Sequence, residues 1–210
     1  PIEVIPNGLD IQTYKPANQK FARKLLNLPE EKRIVLFGAP GGTQDRRKGF
    51  HLLQSALKKL SCSGKNSQIE MAIFGAPEPN EPSELGFKTH YIGRLQDDAS
   101  LAALYSAADV MIVPSVQEAF GQTASESLAC GTPVVAFDAT GLRDIVDHGI
   151  NGYLAEPYDS NGLAAGISWV LGDQERYQKL RQSARQKAEQ EFSLDVQAKR
   201  YSSIFSTLVA

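Results

Sequence analysis

Two kinds of apolar pattern follow one another along the chain. Short runs rich in β-branched residues predict strands at 2–5, 33–37, 69–74, 90–92, 110–113, 133–136 and 152–154. Between most of these runs, apolar residues recur at helical spacing, as at Phe50, Leu53, Leu57 and Leu60. Helices therefore alternate with strands over the first three-quarters of the chain.

The predicted strands 34–37 and 134–137 are apolar throughout instead of alternating with polar residues. Such runs are typical of a sheet that is buried on both faces. Together with the strand–helix alternation, they predict an α/β fold with a doubly wound parallel sheet. This architecture binds ligands outside the carboxyl ends of its strands. Small or polar residues follow five predicted strands there: Gly38, Gly75, Gly93, Ser115 and Asp138.

The tail of the chain differs from the rest. Residues 159–208 show three helical patterns and no strand, and Ser193 is a plausible N-cap for the last helix. The basic residues of the middle helix, such as Lys179 and Arg185, indicate a solvated face in preference to a binding patch. The proline-containing segment 76–85 is predicted to be a long loop.

Composition excludes several classes of partner. The chain has 210 residues with 22 Lys and Arg against 24 Asp and Glu, so its net charge of −2 predicts no nucleic-acid partner. Cys62 and Cys130 lack the spacing of a metal or redox motif and are predicted to be free thiols in a reducing compartment. No apolar stretch approaches the roughly 20 residues of a membrane span, and no signal peptide is recognisable. We expect a soluble, cytoplasmic chain without a transmembrane segment.

Two carboxylates flank a loop-to-helix transition after the predicted strand 110–113. Glu118 and Glu126 are separated by seven residues, and residues 125–130 are predicted to be helical. The helix N-terminus near Gly121 would offer unpaired N–H groups to an anion. A phosphate held there, with a ribose held by Glu126, would describe a nucleotide-diphosphate ligand. A glutamate near a helix start also complements the helix dipole, so Glu126 alone does not distinguish a ligand-binding site from ordinary helix chemistry.

Two further loops are candidates for ligand contacts. The glycine-containing loop 38–49 carries Arg46, Arg47 and Lys48 just before a predicted helix. This pattern suits phosphate binding, and it equally suits a flexible surface loop that happens to contain basic residues. It has neither a Walker A motif nor a dinucleotide fingerprint, which disfavours a dinucleotide-dependent oxidoreductase. The second loop, 90–95, could hold a flat base through its backbone. The three histidines lack metal-ligand spacing and are expected to be structural or solvated.

The ordered motifs resemble those of a known family. Glu118-Ala-Phe-Gly121, followed by Glu126-Ser-Leu-Ala-Cys-Gly-Thr-Pro-Val-Val135, resembles the signature of the retaining GT-B glycosyltransferases called glycosyl transferases group 1. Other pieces fit that family in order over almost the whole chain: Ile5-Pro-Asn-Gly-Leu-Asp10, Lys48-Gly49, Ile73-Phe-Gly75, Tyr91-Ile-Gly93, Ala108-Asp-Val110, Pro114-Ser115, Gly141-Leu-Arg-Asp-Ile-Val146 and Gly149-Ile-Asn-Gly152.

The resemblance implies a Rossmann-like domain, the C-terminal half of a GT-B fold. Residues 1–210 would form this single nucleotide-sugar-binding domain, with 159–210 as a helical C-terminal extension. The acceptor-binding N-terminal domain would be absent from this chain and would be its partner in the intact enzyme. This chain alone is then expected to be inactive.

The resemblance also implies site residues. Glu126 would bind the ribose hydroxyls of the donor, and Glu118 would face its sugar as a catalytic residue. Lys48 would stabilise the leaving diphosphate. The remaining donor contacts would come from the turn beside the base, from the loop and helix start after Glu118, and from an arginine beside Lys48: Gly93, Arg94 and Leu95; Phe120, Gly121, Gln122 and Thr123; and Arg47. No metal and no cofactor would be required.

Two positions depart from the family pattern. The family usually has an arginine six residues before its lysine, where this chain has Gly42, so Arg46 or, with a weak preference, Arg47 would supply the charge. A second glycine usually follows the one at Gly141, where this chain has Leu142. That change affects the loop on the sugar side of the expected site.

The sequence therefore predicts the donor-binding domain of a retaining glycosyltransferase. It would help transfer a sugar from a nucleotide-diphosphate sugar to an acceptor hydroxyl on a sugar or lipid-linked molecule, in polysaccharide or glycolipid synthesis. A peripheral position at the inner face of the membrane stays open for the full-length protein. Two alternatives also stay open: a non-catalytic nucleotide-sugar-binding module, and a sugar-nucleotide epimerase with the same fold.

Overall fold

The fold is built around one parallel sheet of six strands. A computed structural model describes residues 2–38, 41, 43–62, 64, 67–80 and 84–209. Every strand pairs in parallel with its neighbours, in the order β3-β2-β1-β4-β5-β6, which is the order of the Rossmann fold. The strands are β1 Arg33–Gly38, β2 Ile69–Phe74, β3 Thr89–Gly93, β4 Val110–Val113, β5 Val134–Phe137 and β6 Gly152–Ala155. The predicted α/β class and six of the seven predicted strands are confirmed.

Within the described residues, seven α-helices surround the sheet or follow it. They are α1 Gln19–Leu25, α2 Phe50–Ser61, α3 Asp98–Ala107, α4 Gln122–Ala129, α5 Ser160–Leu171, α6 Gln174–Glu191 and α7 Leu194–Val209. The last three confirm the predicted all-helical tail, and the Ser193 hydroxyl accepts a hydrogen bond from the Val196 amide at 3.3 Å, as an N-cap should. No helix among the described residues is both long and apolar enough to cross a membrane.

Both faces of the sheet are covered, which explains the continuous apolar strands. Ile34 and Leu36 belong to one buried cluster with residues of α3 and α4, whereas Val35 and Phe37 belong to a second cluster with α2 and α5. Because alternate side chains of a strand point to opposite faces, each position of β1 meets a helix layer. Each such buried aliphatic side chain contributes about 1.5–3 kcal/mol.

The amino end of β4 is held by a buried ionic cluster around Asp109. Its carboxylate lies 2.6 Å from the guanidinium of Arg23 in α1 and 3.1 Å from that of Arg33 in β1. It also accepts hydrogen bonds from the Tyr177 hydroxyl of α6 at 3.0 Å and from the Ile34 amide at 2.6 Å. Four elements are thereby fixed to one another at the edge of the sheet opposite the carboxyl ends of the strands.

Three details differ from the sequence predictions. Residues 2–5 form no strand, and Ile2 and Val4 are 98% and 76% exposed, because this segment has no neighbouring strand with which to pair. The helix predicted at 125–130 begins three residues earlier, at Gln122. The basic face of α6 is not simply solvated: Arg185 donates to the backbone oxygens of Tyr14 and Ala129, at 2.8 and 2.9 Å, and so joins the helix to the domain.

Candidate functional site

The start of α4 is set by a glycine that no other residue could replace without strain. Gly121 has φ +108°, and a Cβ added there would lie 2.8 Å from Cδ2 of Leu142. The amides of Ala124 and Ser125 donate to its carbonyl oxygen at 2.9 and 3.2 Å. In the described part of the chain, the amides of Gln122 and Thr123 have no hydrogen-bond acceptor. This helix end therefore presents free N–H groups, which suit an anion.

The loop between β1 and α2 is pressed against the loop that leaves β4. Residues Arg46–Lys48 form a 3-10 turn, and the Asp45 side chain caps it by accepting from the Arg47 amide at 2.9 Å. The Val116 amide donates to the carbonyl of Arg47 at 2.8 Å. A Cβ on Gly49, whose φ is +71°, would lie 1.7 Å from the carbonyl oxygen of Pro114. The two loops thus meet at β1 and β4, where the strand order reverses and α/β sheets bind ligands.

An ion pair joins these two loops. Nζ of Lys48 lies 2.7 Å from Oε2 of Glu118, and the two side chains are 26% and 17% exposed. Cγ of Glu118 lies 3.6 Å from the position that a Cβ on Gly121 would occupy. An ammonium group and a carboxylate are therefore placed beside the free end of α4. Each of these two charges neutralises the other.

A cavity of about 400 Å³ lies beside the start of α4 and is lined by residues other than the ion pair. Its wall is mainly apolar, and Glu126 contributes the buried carboxylate. The lining residues are Phe74, Gly75, Arg94, Leu95, Leu101, Tyr105, Gln122, Thr123 and Glu126. Glu126 is 8% exposed, and the Tyr105 hydroxyl donates to its Oε2 at 2.7 Å. Burial raises the pKa of Glu126, whereas the bond from Tyr105 acts in the opposite direction.

The structure brings most of the predicted site residues into two adjacent groups. Glu126 and four of its predicted companions line the cavity: Arg94, Leu95, Gln122 and Thr123. Lys48, Glu118 and Gly121 lie together at the amino end of α4. The first turn of α4 connects the two groups, because it follows Gly121 and two of its residues line the cavity. The arrangement is consistent with one elongated ligand, although the individual contacts stay predictions.

Three predicted residues occupy other positions. Gly93 ends β3 with φ +75°, and its carbonyl accepts from the Gly75 amide at 2.8 Å. The Phe120 ring packs edge-on against Phe192, with centroids 5.8 Å apart. The Arg47 guanidinium lies 2.8 Å from the Asp45 carboxylate, and its side chain is 69% exposed. None of the three lines the cavity, so their predicted donor contacts would come from backbone groups or from side-chain movement.

The two departures from the family pattern have different outcomes. Gly42 lies outside the described residues. Leu142 is fully buried, within the 3-10 turn Thr140–Asp144 that follows β5, and it packs against Gly121. Leu142 therefore packs against the loop that follows Glu118 and supports it. The Gly141 amide reinforces that contact by donating to the carbonyl of Glu118 at 3.1 Å.

Sequence reasoning did not identify Tyr105, Phe74 and Leu101 as site residues. Tyr105 belongs to the apolar stripe of α3, and that pattern predicts a core position. The available signal was its hydroxyl, because a buried tyrosine usually needs a hydrogen-bond partner. The partner itself, Glu126, lies on another helix and could be found only from the fold. Among the described residues, no three His, Cys, Asp or Glu side chains are grouped as a metal site. The expected metal independence stays a prediction.

The fold and this geometry define a Rossmann-like domain with free backbone amides at a helix start, beside a cavity that contains a buried carboxylate. The family model described as "Glycosyl transferases group 1" matches residues 18–187. The chain therefore belongs to the glycosyl transferases group 1 family, and it corresponds to the C-terminal domain of the GT-B fold.

Three known proteins illustrate the similarity. A D-inositol 3-phosphate glycosyltransferase from Thermobispora bispora is 34% identical over 187 residues, which covers 83% of this chain and 43% of the relative. The sucrose-phosphate synthase structure from Thermosynechococcus elongatus has a TM-score of 0.83 and 31% identity, covering 99% of this chain and 52% of that one. Anabaena HepE in complex with UDP and glucose has a TM-score of 0.79 and 25% identity, covering 97% and 56%. The chain spans about half the length of these proteins or less.

Proposed function

We propose that this chain is the donor-binding domain of a retaining glycosyltransferase that uses a nucleotide-diphosphate sugar. The observation that carries the proposal is the start of α4. Its free Gln122 and Thr123 amides follow Gly121, which lies beside Glu118 of the ion pair, and both residues line the cavity that contains Glu126. A diphosphate at the amides would direct the nucleoside into the cavity and the sugar toward Glu118. The HepE complex with UDP and glucose supports this class of ligand.

In this proposal, each charged group has a separate task. Glu126 accepts hydrogen bonds from the ribose hydroxyls, since a buried carboxylate can accept from a vicinal diol with both oxygens. Lys48 exchanges its bond to Glu118 for one to the diphosphate. A lysine about 4 Å from a phosphate charge gains roughly 4 kcal/mol at an intermediate dielectric constant, before desolvation is subtracted. Glu118 is then released to bind hydroxyl groups of the donor sugar.

The transfer itself would take place in the intact enzyme. The acceptor hydroxyl attacks the anomeric carbon on the face from which the diphosphate departs, so the new bond keeps the original configuration. The bond from the anomeric carbon to the phosphate oxygen breaks, and that oxygen takes the acceptor proton. Lys48 and the α4 amides stabilise the charge that grows on the leaving diphosphate. We infer an acceptor in polysaccharide or glycolipid synthesis, bound mainly by the N-terminal domain of the intact enzyme.

A ligand screen tests the binding half of this proposal. Thermal unfolding of the 210-residue chain is measured with UDP, GDP, ADP and their common sugar conjugates, because a ligand that binds the folded state raises its stability. We expect one base to raise the unfolding temperature clearly above the others. If none of the nucleotides has an effect at millimolar concentration, the proposed function is wrong.

A turnover assay tests the catalytic half. The purified chain is expected to transfer no sugar, whereas the full-length protein should consume the donor only in the presence of an acceptor. Donor conversion by the full-length protein without any acceptor would indicate an epimerase instead. Donor binding without any turnover, over a broad acceptor set, would indicate a non-catalytic module.

A further inference from the structure

We propose that Tyr105 is a positioning residue that orients the Glu126 carboxylate toward the ribose of the donor and so sets the preference of this site for ribonucleotides. The inference rests on the proposed function. The Tyr105 side chain would act by holding Glu126 in place and would not itself touch the reacting atoms.

The first observation is the pairing of two buried groups. Tyr105 is fully buried, Glu126 is 8% exposed, and the tyrosine hydroxyl donates to Oε2 of the glutamate at 2.7 Å. This distance is an ordinary one for an O–H···O hydrogen bond. Burial disfavours the charged form of Glu126, and Tyr105 is the first of the hydrogen-bonding groups that oppose this effect. The hydroxyl therefore favours the ionised carboxylate and, through its bond to Oε2, fixes the direction of Glu126.

The second observation is that Tyr105 is itself held firmly. The Thr132 hydroxyl donates to its carbonyl oxygen at 2.7 Å, which fixes the backbone of α3 at this residue. Its ring packs edge-on against Phe74, with centroids 5.8 Å apart, and lies 6.5 Å from the ring of Tyr14. The Tyr14 hydroxyl donates to Asp98 at 2.9 Å, and Tyr14 and Gln122 also lie near enough to Glu126 to lower its pKa, although to a smaller extent than Tyr105 does. Tyr105 thus supplies a rigid support for the carboxylate.

The third observation is that this pair forms part of the cavity wall. Tyr105 and Glu126 both line the cavity, and the tyrosine occupies only the Oε2 side of the carboxylate. An ionised carboxylate has about four lone-pair positions, so Glu126 keeps acceptor capacity for a ligand. A vicinal diol, which donates two hydrogen bonds, matches that capacity better than a single hydroxyl. A ribose is therefore favoured over a deoxyribose.

The test combines a tyrosine variant with a ligand that lacks one hydroxyl. Tyr105→Phe removes the donor and keeps the ring that packs on Phe74. Affinities for UDP, GDP and ADP, each with its 2′-deoxy form, are measured by calorimetry for the wild-type chain and the variant. The wild-type chain should bind the ribonucleotide roughly tenfold or more tightly than the deoxy form, since hydrogen bonds to charged groups are strong. In Tyr105→Phe this ratio should fall to roughly two- to threefold.

Two further variants separate positioning from general stability. Tyr177→Phe is a matched control, because it removes an equally buried hydroxyl that donates to Asp109 at the opposite edge of the sheet, 3.0 Å away. It should lower the unfolding temperature and keep the wild-type ratio. Glu126→Gln should lower the ratio by itself, and adding Tyr105→Phe to it should change the ratio no further. The ratio is measured on folded protein, so a loss of stability alone does not alter it.

The outcomes distinguish this inference from the function on which it rests. A wild-type chain that binds none of the three nucleotides contradicts the proposed function. A wild-type chain that binds a ribonucleotide and its deoxy form equally, or a Tyr105→Phe variant with the full wild-type ratio, overturns the assignment of Tyr105 and leaves nucleotide binding intact. A ratio that falls in Tyr105→Phe and stays unchanged in Tyr177→Phe supports it.

Discussion

The Lys48–Glu118 ion pair leads us to predict that removing the charge of Glu118, although this residue belongs to the proposed site, should tighten nucleoside-diphosphate binding. The Glu118 carboxylate lies 2.7 Å from Nζ of Lys48, the cation that would bind the diphosphate in the proposed function. Glu118→Gln keeps the size of the side chain and removes its charge. The lysine is then free to bind phosphate without first breaking an ion pair.

The magnitude follows from the partial exposure of the pair. With side chains 26% and 17% exposed, the ion pair is worth about 0.2–1 kcal/mol, as for other solvent-accessible pairs. Removing the repulsion between this partly exposed carboxylate and the diphosphate adds about 1 kcal/mol, the value for two charges about 4 Å apart in a water-like dielectric. The sum is about 1–2 kcal/mol, which corresponds to roughly 5–30-fold tighter binding.

Calorimetry at fixed ionic strength measures this change for the nucleoside diphosphate that the screen selects. Lys48→Met should abolish the gain from Glu118→Gln when the two are combined. Asp138→Asn is the matched control, because Asp138 follows β5 at the same edge of the sheet but is paired with Arg143 at 2.6 Å. It should leave the affinity within about twofold of wild type, as expected for a screened surface charge. Unchanged or weaker binding in Glu118→Gln would refute the proposed exchange of partners.

The remaining predictions concern two buried carboxylates, Glu126 and Asp109. Glu126→Ala should weaken nucleoside-diphosphate binding by about 1.5–3 kcal/mol in calorimetry, and equal affinity would remove this residue from the site. Since burial raises the Glu126 pKa and ribose binding needs its ionised form, wild-type affinity should fall as the pH drops through that raised pKa. The Glu126→Gln variant should lack this part of the pH dependence, which separates it from titration of the phosphate. Asp109→Ala should lower the free energy of unfolding in urea by about 3–5 kcal/mol, because it leaves Arg23 buried and unpaired. Asp138→Ala should cost less than about 1 kcal/mol, and equal losses would contradict this account of the cluster.

The sequence predicted the sheet well because its strands have an unusual composition. Residues 34–37 of β1 are all apolar, since helices cover both sides of this strand, and few other structures produce this pattern. Residues 2–5 have the same β-branched composition but lie away from the sheet, with Ile2 98% exposed. Local composition describes what a strand requires and contains no information on whether a neighbour exists. That is why the strand predicted at residues 2–5 is wrong.

The candidate site was predictable in its parts and not in its connections. Glycines at the strand ends, Lys48 and the two glutamates could all be identified from the sequence. Their partners could not, because Lys48 and Glu118 are 70 positions apart, and Tyr105 and Glu126 are 21 apart on different helices. Even the short-range pairing of Arg47 with Asp45 depends on a 3-10 turn that no periodic pattern predicts. The fold decides which of several nearby charges meet.

The close fit of Gly49 against Pro114 has a consequence for protein engineering. The two loops that carry Lys48 and Glu118 share one backbone contact with no room for even a methyl group, and a further main-chain bond from Val116. A designer who wishes to graft a new donor preference onto this scaffold must therefore transplant both segments together. The turns that follow β2 and β3, which border the cavity at Gly75 and Arg94, are the better places for independent diversification in a library.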